Sequence, residues 1–391
     1  MQPLRDITVV SLEQAIAAPY ATRQLADLGA RVIKVERPGT GDFARAYDTR
    51  VRGLSSHFVW VNRNKESLTL DIKDPLGMDA LRRLLADADV FVQNLAPGAA
   101  ERAGLGWDEL HASHPELIVC DISGYGTPGP YATAKAYDLM VQSESGLLSV
   151  TGTAEEMAKV GISVSDIAAG MYAYSAILAA LLERGRTGEG VHVDVSMLEA
   201  TVEWLGFPLY YAFDGAEPPP RAGAAHATIY PYGPFTAGDG KVVMMCIQNE
   251  REWAAFCERF LLRPELTAHP DYAGNAARNA HREALGAIIA ARFAELTAAE
   301  AVELLAAVPV AHARVNSLAE VWEHPQLTAR GRWHQVETPA GPIPALAPPG
   351  LVDDTPRMDP VPGVGEHTRA ILAEAGLTDA EIDELASRGA A

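Results

Sequence analysis

Cysteine is scarce in this chain of 391 residues: Cys120, Cys246 and Cys257 stand far apart, in no C-x-x-C pair. That excludes a disulfide framework, a zinc ribbon or a thioredoxin-like redox pair, and leaves these side chains as small core packing. Positive charge is also in deficit. Thirty-two Lys and Arg face 51 Asp and Glu, a formal net charge of -19, which argues against general attraction to nucleic acid or to an anionic membrane. A protein this acidic that handles an anion must place its few cations locally.

Other absences narrow the field further. The opening "MQPLRDITVV" has neither the basic nor the apolar region of a signal peptide, so the expected location is cytoplasmic. The longest apolar run, Ile167 to Leu182, is shorter than the ~20 residues a membrane span needs and contains Gly170, Tyr172, Tyr174 and Ser175; it reads as a buried helix. Among 11 histidines only His111 and His114 are close, with no acidic or thiol partners to complete a metal site, so no metal is expected. Neither a G-x-S-x-G elbow nor a Walker loop occurs, which leaves the familiar hydrolase and NTPase machineries out.

What is present is alternation. "ITVVSL" reads as a buried strand, "APYATRQLADLG" as a helix closing at Gly29, and "RVIKVE" as a second strand. Glu36 ends that strand as the acidic residue of a dinucleotide site would, but the preceding turn, "SLEQAIAAPYA", lacks the glycines that let a backbone approach a pyrophosphate. The pattern continues with "SLTLDI", "DPLGMDALRRLLADA", "VFVQNL", a helix from Trp107 to His114, and "LIVCDISG". Strands alternating with helices predict a parallel sheet covered on both faces: an α/β fold, Rossmann-like in its layering. Proline and glycine crowd residues 212–227 and mark a boundary. A smaller α+β domain follows, then a Pro-rich extended stretch before two final helices. The expected divisions are 1–211, 212–325 and 326–391.

Polar residues collect where the predicted strands end. Arg37, Lys73 and Asn94 follow three of them, and Arg102 follows the turn "APGAAE". Each alone is a surface group. Together, at the carboxyl ends of parallel strands, they suit an anionic ligand with several phosphates. One acid also stands out: Asp166 opens the apolar run in "KVGISVSDIAAGMYAYSAILAALLERG". A helix cap is the ordinary reading of such a residue.

These blocks carry a resemblance. "ATRQLADLGARVIKVERPGTGDFAR", "NRNKESLTLDIKDPLG", "PGAAERAGLGWDEL", "ISGYGTPGPY", "AYDLMVQSESGLLSVTG" and "SDIAAGMYAYSAILAAL" resemble the class III CoA-transferases, a family that also includes α-methylacyl-CoA racemase. The similarity runs through to "GEHTRAILAEAGL". It implies a large Rossmann-like domain built from both ends of the chain, a small domain from its middle, and an interlocked homodimer. It implies coenzyme A as part of the acyl-CoA substrate, a free carboxylic acid as the second small-molecule partner, and no metal.

Carried over by motif, Arg37 would bind the nucleotide end of CoA, while Leu70, Asp71, Ile72 and Lys73 would line its adenine pocket. Asn94, Leu95, Ala96 and Arg102 would meet its phosphates, and Lys135, Ala136, Tyr137 and Asp138 would flank the pantetheine and thioester. Asp166 falls at the family's catalytic aspartate, which attacks the thioester carbonyl; the start of a helix should keep that carboxylate ionised.

In the racemase branch a histidine base stands where this chain has Tyr137, and a phenol of pKa near 10 is a poor base at neutral pH. The expected activity is therefore CoA transfer, with racemisation and a catalytically silent CoA-binding scaffold as alternatives. Ile16 replaces a glutamine of formyl-CoA transferase, and that enzyme's glycine-rich loop has no counterpart in "RAGAAHATIYPYGPF". Both changes argue against formate or oxalate. That region and "CIQNEREW" are similar to transferases of C4 and C5 dicarboxylic acids, for which Arg45, Arg221, His226 and Arg251 are candidate partners of a second carboxylate.

Overall fold

The computed structural model describes residues 2–308, 310–350 and 355–391. Along the chain come β1 (Thr8–Leu12), α1 (Ala17–Asp27), β2 (Arg31–Glu36), α2 (Ser56–Val61), β3 (Lys65–Thr69), α3 (Pro75–Ala86) and β4 (Val90–Gln93). Then follow α4 (Ala99–Arg102), α5 (Trp107–Ser113), β5 (Ile118–Ser123), α6 (Asp138–Glu144), α7 (Leu147–Val150), α8 (Val164–Thr187), β6 (His192–Ser196) and α9 (Met197–Trp204). The six strands form one sheet in the order β3-β2-β1-β4-β5-β6, with every pairing parallel. The order reverses between β1 and β4. In open parallel sheets the crevice beyond the carboxyl ends of such a strand pair is where ligands bind.

Alternation along each strand sorts the core into two layers. Val9, Val32, Val90, Val92, Ile118 and Cys120 face α1 and α8. Val10, Ile33, Phe91 and Val119 face the other way, against α3 and the last two helices, Thr368–Glu374 and Asp379–Ser387, through Leu81, Ile371, Leu372 and Leu385. The carboxyl-terminal segment therefore completes the first unit. Helix α8 is long and apolar enough to pass for a membrane span by length and composition, but Ala168, Ala169, Ala173 and Ile177 bury its inner flank in this core. Gly170 makes the approach possible: a Cβ there would lie 2.7 Å from the Ala17 carbonyl oxygen and 3.0 Å from Tyr20.

The chain folds into two compact units, one of residues 1–147, 160–205 and 326–391, the other of 148–159 and 206–325. The sequence places its first division after residue 211; in the structure the first unit gives way to the second after Leu205, and residues 148–159 belong to the second unit. That unit holds a three-stranded antiparallel sheet, β7 (Tyr232–Thr236), β8 (Val242–Cys246) and β9 (Ala311–Arg314), packed under helices Glu250–Arg259 and Arg282–Ala294 around Trp253, Phe256, Phe260 and Phe293. The Pro-rich stretch read as extended contains part of a hairpin: β10 (Trp333–Val336) pairs antiparallel with β11 (Ile343–Leu346). Leu351 to Asp354 of that stretch lie outside the described residues.

Candidate active site at the carboxyl edge of the sheet

Helices α6 and α8 begin at one point, and a single carboxylate joins them. Ser163, at the N-cap of α8, makes no side-chain capping bond. The acceptor comes instead from the first residue of α6: Asp138 Oδ1 accepts the Ser165 N–H at 2.8 Å, and its Oδ2 accepts from Gln142 Nε2 at 2.7 Å. Gln142 is fully buried, and its own oxygen accepts the Val160 N–H at 3.0 Å. The first turn of α8 is thus held by Asp138, and Asp166 is the next residue along.

Asp166 is half-buried. Protein crowding around its carboxyl, and secondarily the Asp138 carboxylate, push its pKa from 3.8 up to about 7. The expectation that a helix start keeps it ionised needs correcting. A helix dipole contributes at most about 2 kcal/mol in a partly buried setting, less than the roughly 4 kcal/mol that a rise from 3.8 to about 7 corresponds to, so it does not offset desolvation on this scale.

Sequence reading missed Tyr47, which the fold brings within electrostatic range of Asp166. Burial first, then Asp42, Asp166 and Tyr137, push its phenol up to about 12. No motif marked it; only the return of the loop after β2 to the start of α8 does so. Tyr137 is 63% exposed at the N-cap of α6.

The turn after β1 meets the end of β4 at the sheet's reversal. Asn94 Oδ1 accepts the Gln14 N–H at 2.8 Å and Asn94 Nδ2 donates to the Gln14 carbonyl at 2.9 Å, so both ends of the amide are engaged. The Asn94 side chain thereby braces the turn before α1, while the Asn94–Ala96 segment follows directly on the end of β4. The next residue, Ala15, has φ of 59°, and Asp42 Oδ1 accepts its N–H at 3.2 Å. Asp42 Oδ2 meanwhile receives Lys34 Nζ at 2.8 Å, in a buried network with Glu13 and Lys65. Ile16, the N-cap of α1, is only 3% exposed.

The remaining expected contacts spread along the same edge. Arg37 follows β2 and is exposed, with no side-chain partner among the described residues. Strand β3 stops at Thr69, so Leu70 to Lys73 lie just beyond it, with Leu70 buried, Asp71 and Ile72 half-buried and Lys73 exposed. Leu95 and Ala96 follow β4, and the Arg102 guanidinium folds back on the Pro97 carbonyl at 3.4 Å. Lys135 is exposed, and Ala136 packs against Gly124, where a Cβ would lie 2.2 Å from its own.

Of the four side chains named for a second carboxylate, two are engaged elsewhere. Arg45 makes a two-pronged pair with Glu36, donates to the Pro362 carbonyl and lies over the Phe58 ring. Arg221 donates to the carbonyls of Thr153 and Ala154. His226 Nδ1 accepts the N–H groups of Thr228 and Ile229, which places the proton of the neutral ring on Nε2. Arg251 is exposed in the first turn of helix Glu250–Arg259, with no side-chain partner among the described residues. Among the described residues no group of three His, Cys, Asp or Glu is placed to hold a metal ion.

Comparison with known proteins gives a consistent answer. The model of CoA-transferase family III matches residues 4–368. Succinyl-CoA:glutarate CoA-transferase of Mus musculus is 36% identical over 96% of this chain and 86% of its own length. Succinyl-CoA:mesaconate CoA-transferase of Haloarcula hispanica is 34% identical over 96% and 97%. A crystal structure of a CaiB/BaiF family protein from Brucella suis superposes with a TM-score of 0.83 at 34% identity, covering 95% of this chain and 99% of that one.

Proposed function

Since the chain belongs to CoA-transferase family III and is an enzyme of that class, we propose that it moves CoA from an acyl-CoA to a free C4 or C5 dicarboxylic acid, with Asp166 as nucleophile. The ionised Asp166 oxygen attacks the thioester carbonyl, and the C–S bond breaks to give a mixed anhydride and CoA thiolate. The thiolate attacks the aspartyl carbonyl and expels the donor acid, leaving CoA as a thioester on Asp166. The acceptor carboxylate then attacks that thioester, the thiolate leaves once more, and its attack on the acceptor's acyl carbonyl releases the new acyl-CoA and the Asp166 carboxylate. The thioester bond energy is retained at every stage.

One observation carries this reading: the half-buried carboxyl of Asp166, raised to about 7, sits at the start of a helix tied down by Asp138. A carboxylate that is poorly solvated is a better nucleophile once ionised, and crowding that strips water from it also protects an anhydride from hydrolysis. Arg37, Lys73, Arg102 and the Asn94–Ala96 backbone are the groups we assign to the nucleotide and phosphates of CoA, and Lys135 to Asp138 those we assign to its pantetheine arm. The acids in the names of the relatives, glutarate and mesaconate, support a dicarboxylate acceptor. Arg251 and His226 keep donors available for its second carboxylate. The working form is the family's interlocked homodimer.

The test is to supply succinyl-CoA with glutarate, mesaconate, itaconate, citramalate, malate, formate or oxalate and follow new thioesters by mass, with a 2-methylacyl-CoA in deuterated water alongside. A C5 or C4 dicarboxylate should be the best acceptor, with no deuterium at the α-carbon. Deuterium uptake without thioester exchange would overturn the reading in favour of racemisation.

A further inference from the structure

Three polar side chains on adjacent strands form a continuous hydrogen-bonded chain that the proposed reaction does not use, and it ends on the Asn94–Ala96 loop. Gln93, the last residue of β4, is 8% exposed. Its Oε1 accepts the Leu95 N–H at 2.7 Å, and its Nε2 donates to Asp121 Oδ1 on β5 at 2.8 Å. His192, the first residue of β6, donates from Nε2 to Asp121 Oδ2 at 2.7 Å. The His192 ring stacks on Trp107 of α5, centroids 5.4 Å apart and planes 8° from parallel, and Trp107 stacks in turn on His111 at 4.4 Å.

The chemistry of this chain gives it a direction. A carboxylate only accepts, so Asp121 dictates that the NH2 end of Gln93 faces it. The amide oxygen is thereby turned onto the Leu95 N–H. His192 occupies the other Asp121 oxygen and is itself held flat by Trp107, so the carboxylate cannot rotate away. With Asn94 clamped to Gln14 on one side, the backbone just past β4 is fixed from two directions.

We propose that His192, Asp121 and Gln93 are positioning residues that set the conformation of the Asn94–Ala96 loop for the phosphates of CoA. The proposal rests on the assignment of that loop to the phosphates. Loss of the relay frees the Gln93 amide to flip, leaves Leu95 N–H without its acceptor, and loosens the loop, so the cost falls on CoA affinity and not on the chemistry at Asp166.

The experiment measures CoA and pantetheine binding by calorimetry, and the KM for succinyl-CoA together with kcat, in the full-length protein and in Asp121→Asn, His192→Ala and His192→Gln. Asp121→Asn and His192→Ala should weaken CoA binding about tenfold and raise KM to match, with kcat within about twofold and pantetheine binding unchanged. His192→Gln, which keeps an N–H donor toward Asp121, should recover most of the affinity. Thermal unfolding verifies that each variant is folded. If the unaltered protein binds CoA no more tightly than pantetheine, the loop assignment fails and takes the proposal with it. If CoA binds more tightly than pantetheine but Asp121→Asn and His192→Ala bind it normally, the relay alone is overturned; loss of kcat with unchanged KM overturns it as well.

Discussion

Asp138 supplies the capping bond that α8 does not make for itself, accepting the Ser165 N–H at 2.8 Å, and its charge is part of what raises the neighbouring Asp166 to about 7. The same side chain therefore fixes where the Asp166 carboxyl stands and limits how readily it ionises.

This sets a pH dependence. As the proposed nucleophile, Asp166 must be ionised, so kcat/KM should climb as pH rises through about 7 and level off above it. Asp138→Asn keeps an oxygen for the Ser165 N–H but removes the like charge, and should move this limb to lower pH. A pH-rate profile of both proteins checks it; an acid limb near 4 in the unaltered enzyme would be inconsistent with a carboxyl raised to about 7.

Stability should respond in the opposite sense to activity. Asp166 has a folded pKa above its unfolded value of 3.8, so the folded state binds the extra proton and loses stability as pH rises from about 4 to about 7. Asp166→Asn removes that ionisation. The variant should gain roughly 1–3 kcal/mol over the unaltered protein at pH 8 and much less at pH 4, read from chemical denaturation at the two pH values.

Gly170→Val tests the packing that carries α8. The new side chain would start 2.7 Å from the Ala17 carbonyl, forcing α1 and α8 apart one turn from Asp166. We expect a loss of about 1–3 kcal/mol together with reduced kcat. Unchanged melting and turnover would contradict the contact.

Arg221 and Arg251 separate structure from selectivity. Arg221→Ala strips donors from the Thr153 and Ala154 carbonyls and should lower stability by about 1 kcal/mol without altering the ranking of acceptor acids. Arg251→Ala should leave melting alone and raise KM for dicarboxylates more than for a monocarboxylate of equal length. Steady-state kinetics across an acid panel decides between them.

Much of the sheet was legible because strands buried on both faces write near-continuous apolar runs, as "ITVVSL" and "LIVCDISG" do. The cations past β2 and β3 followed directly from those strand ends. Tyr47 was not legible, because a long loop carries it to Asp166 and no periodicity records the path. Nor were the partners of Asn94 and Arg221. A sequence shows that an amide or guanidinium is present; whether a backbone carbonyl already holds it depends on contacts between residues 80 and 68 positions apart. The raised pKa of Asp166 was misjudged for a similar reason, since the helix start is local and the crowding around it is tertiary.

The central claim is that Asp166 carries CoA covalently, and intact-protein mass spectrometry after rapid mixing with succinyl-CoA and acid quenching tests it most directly. The account predicts a CoA adduct, joined with release of succinate and mapped to the peptide containing Asp166, that discharges on addition of the acceptor acid; Asp166→Asn should be folded, bind CoA, form no adduct and transfer nothing. An Asp166→Asn protein that exchanges CoA between two acids at a near-normal rate would contradict it.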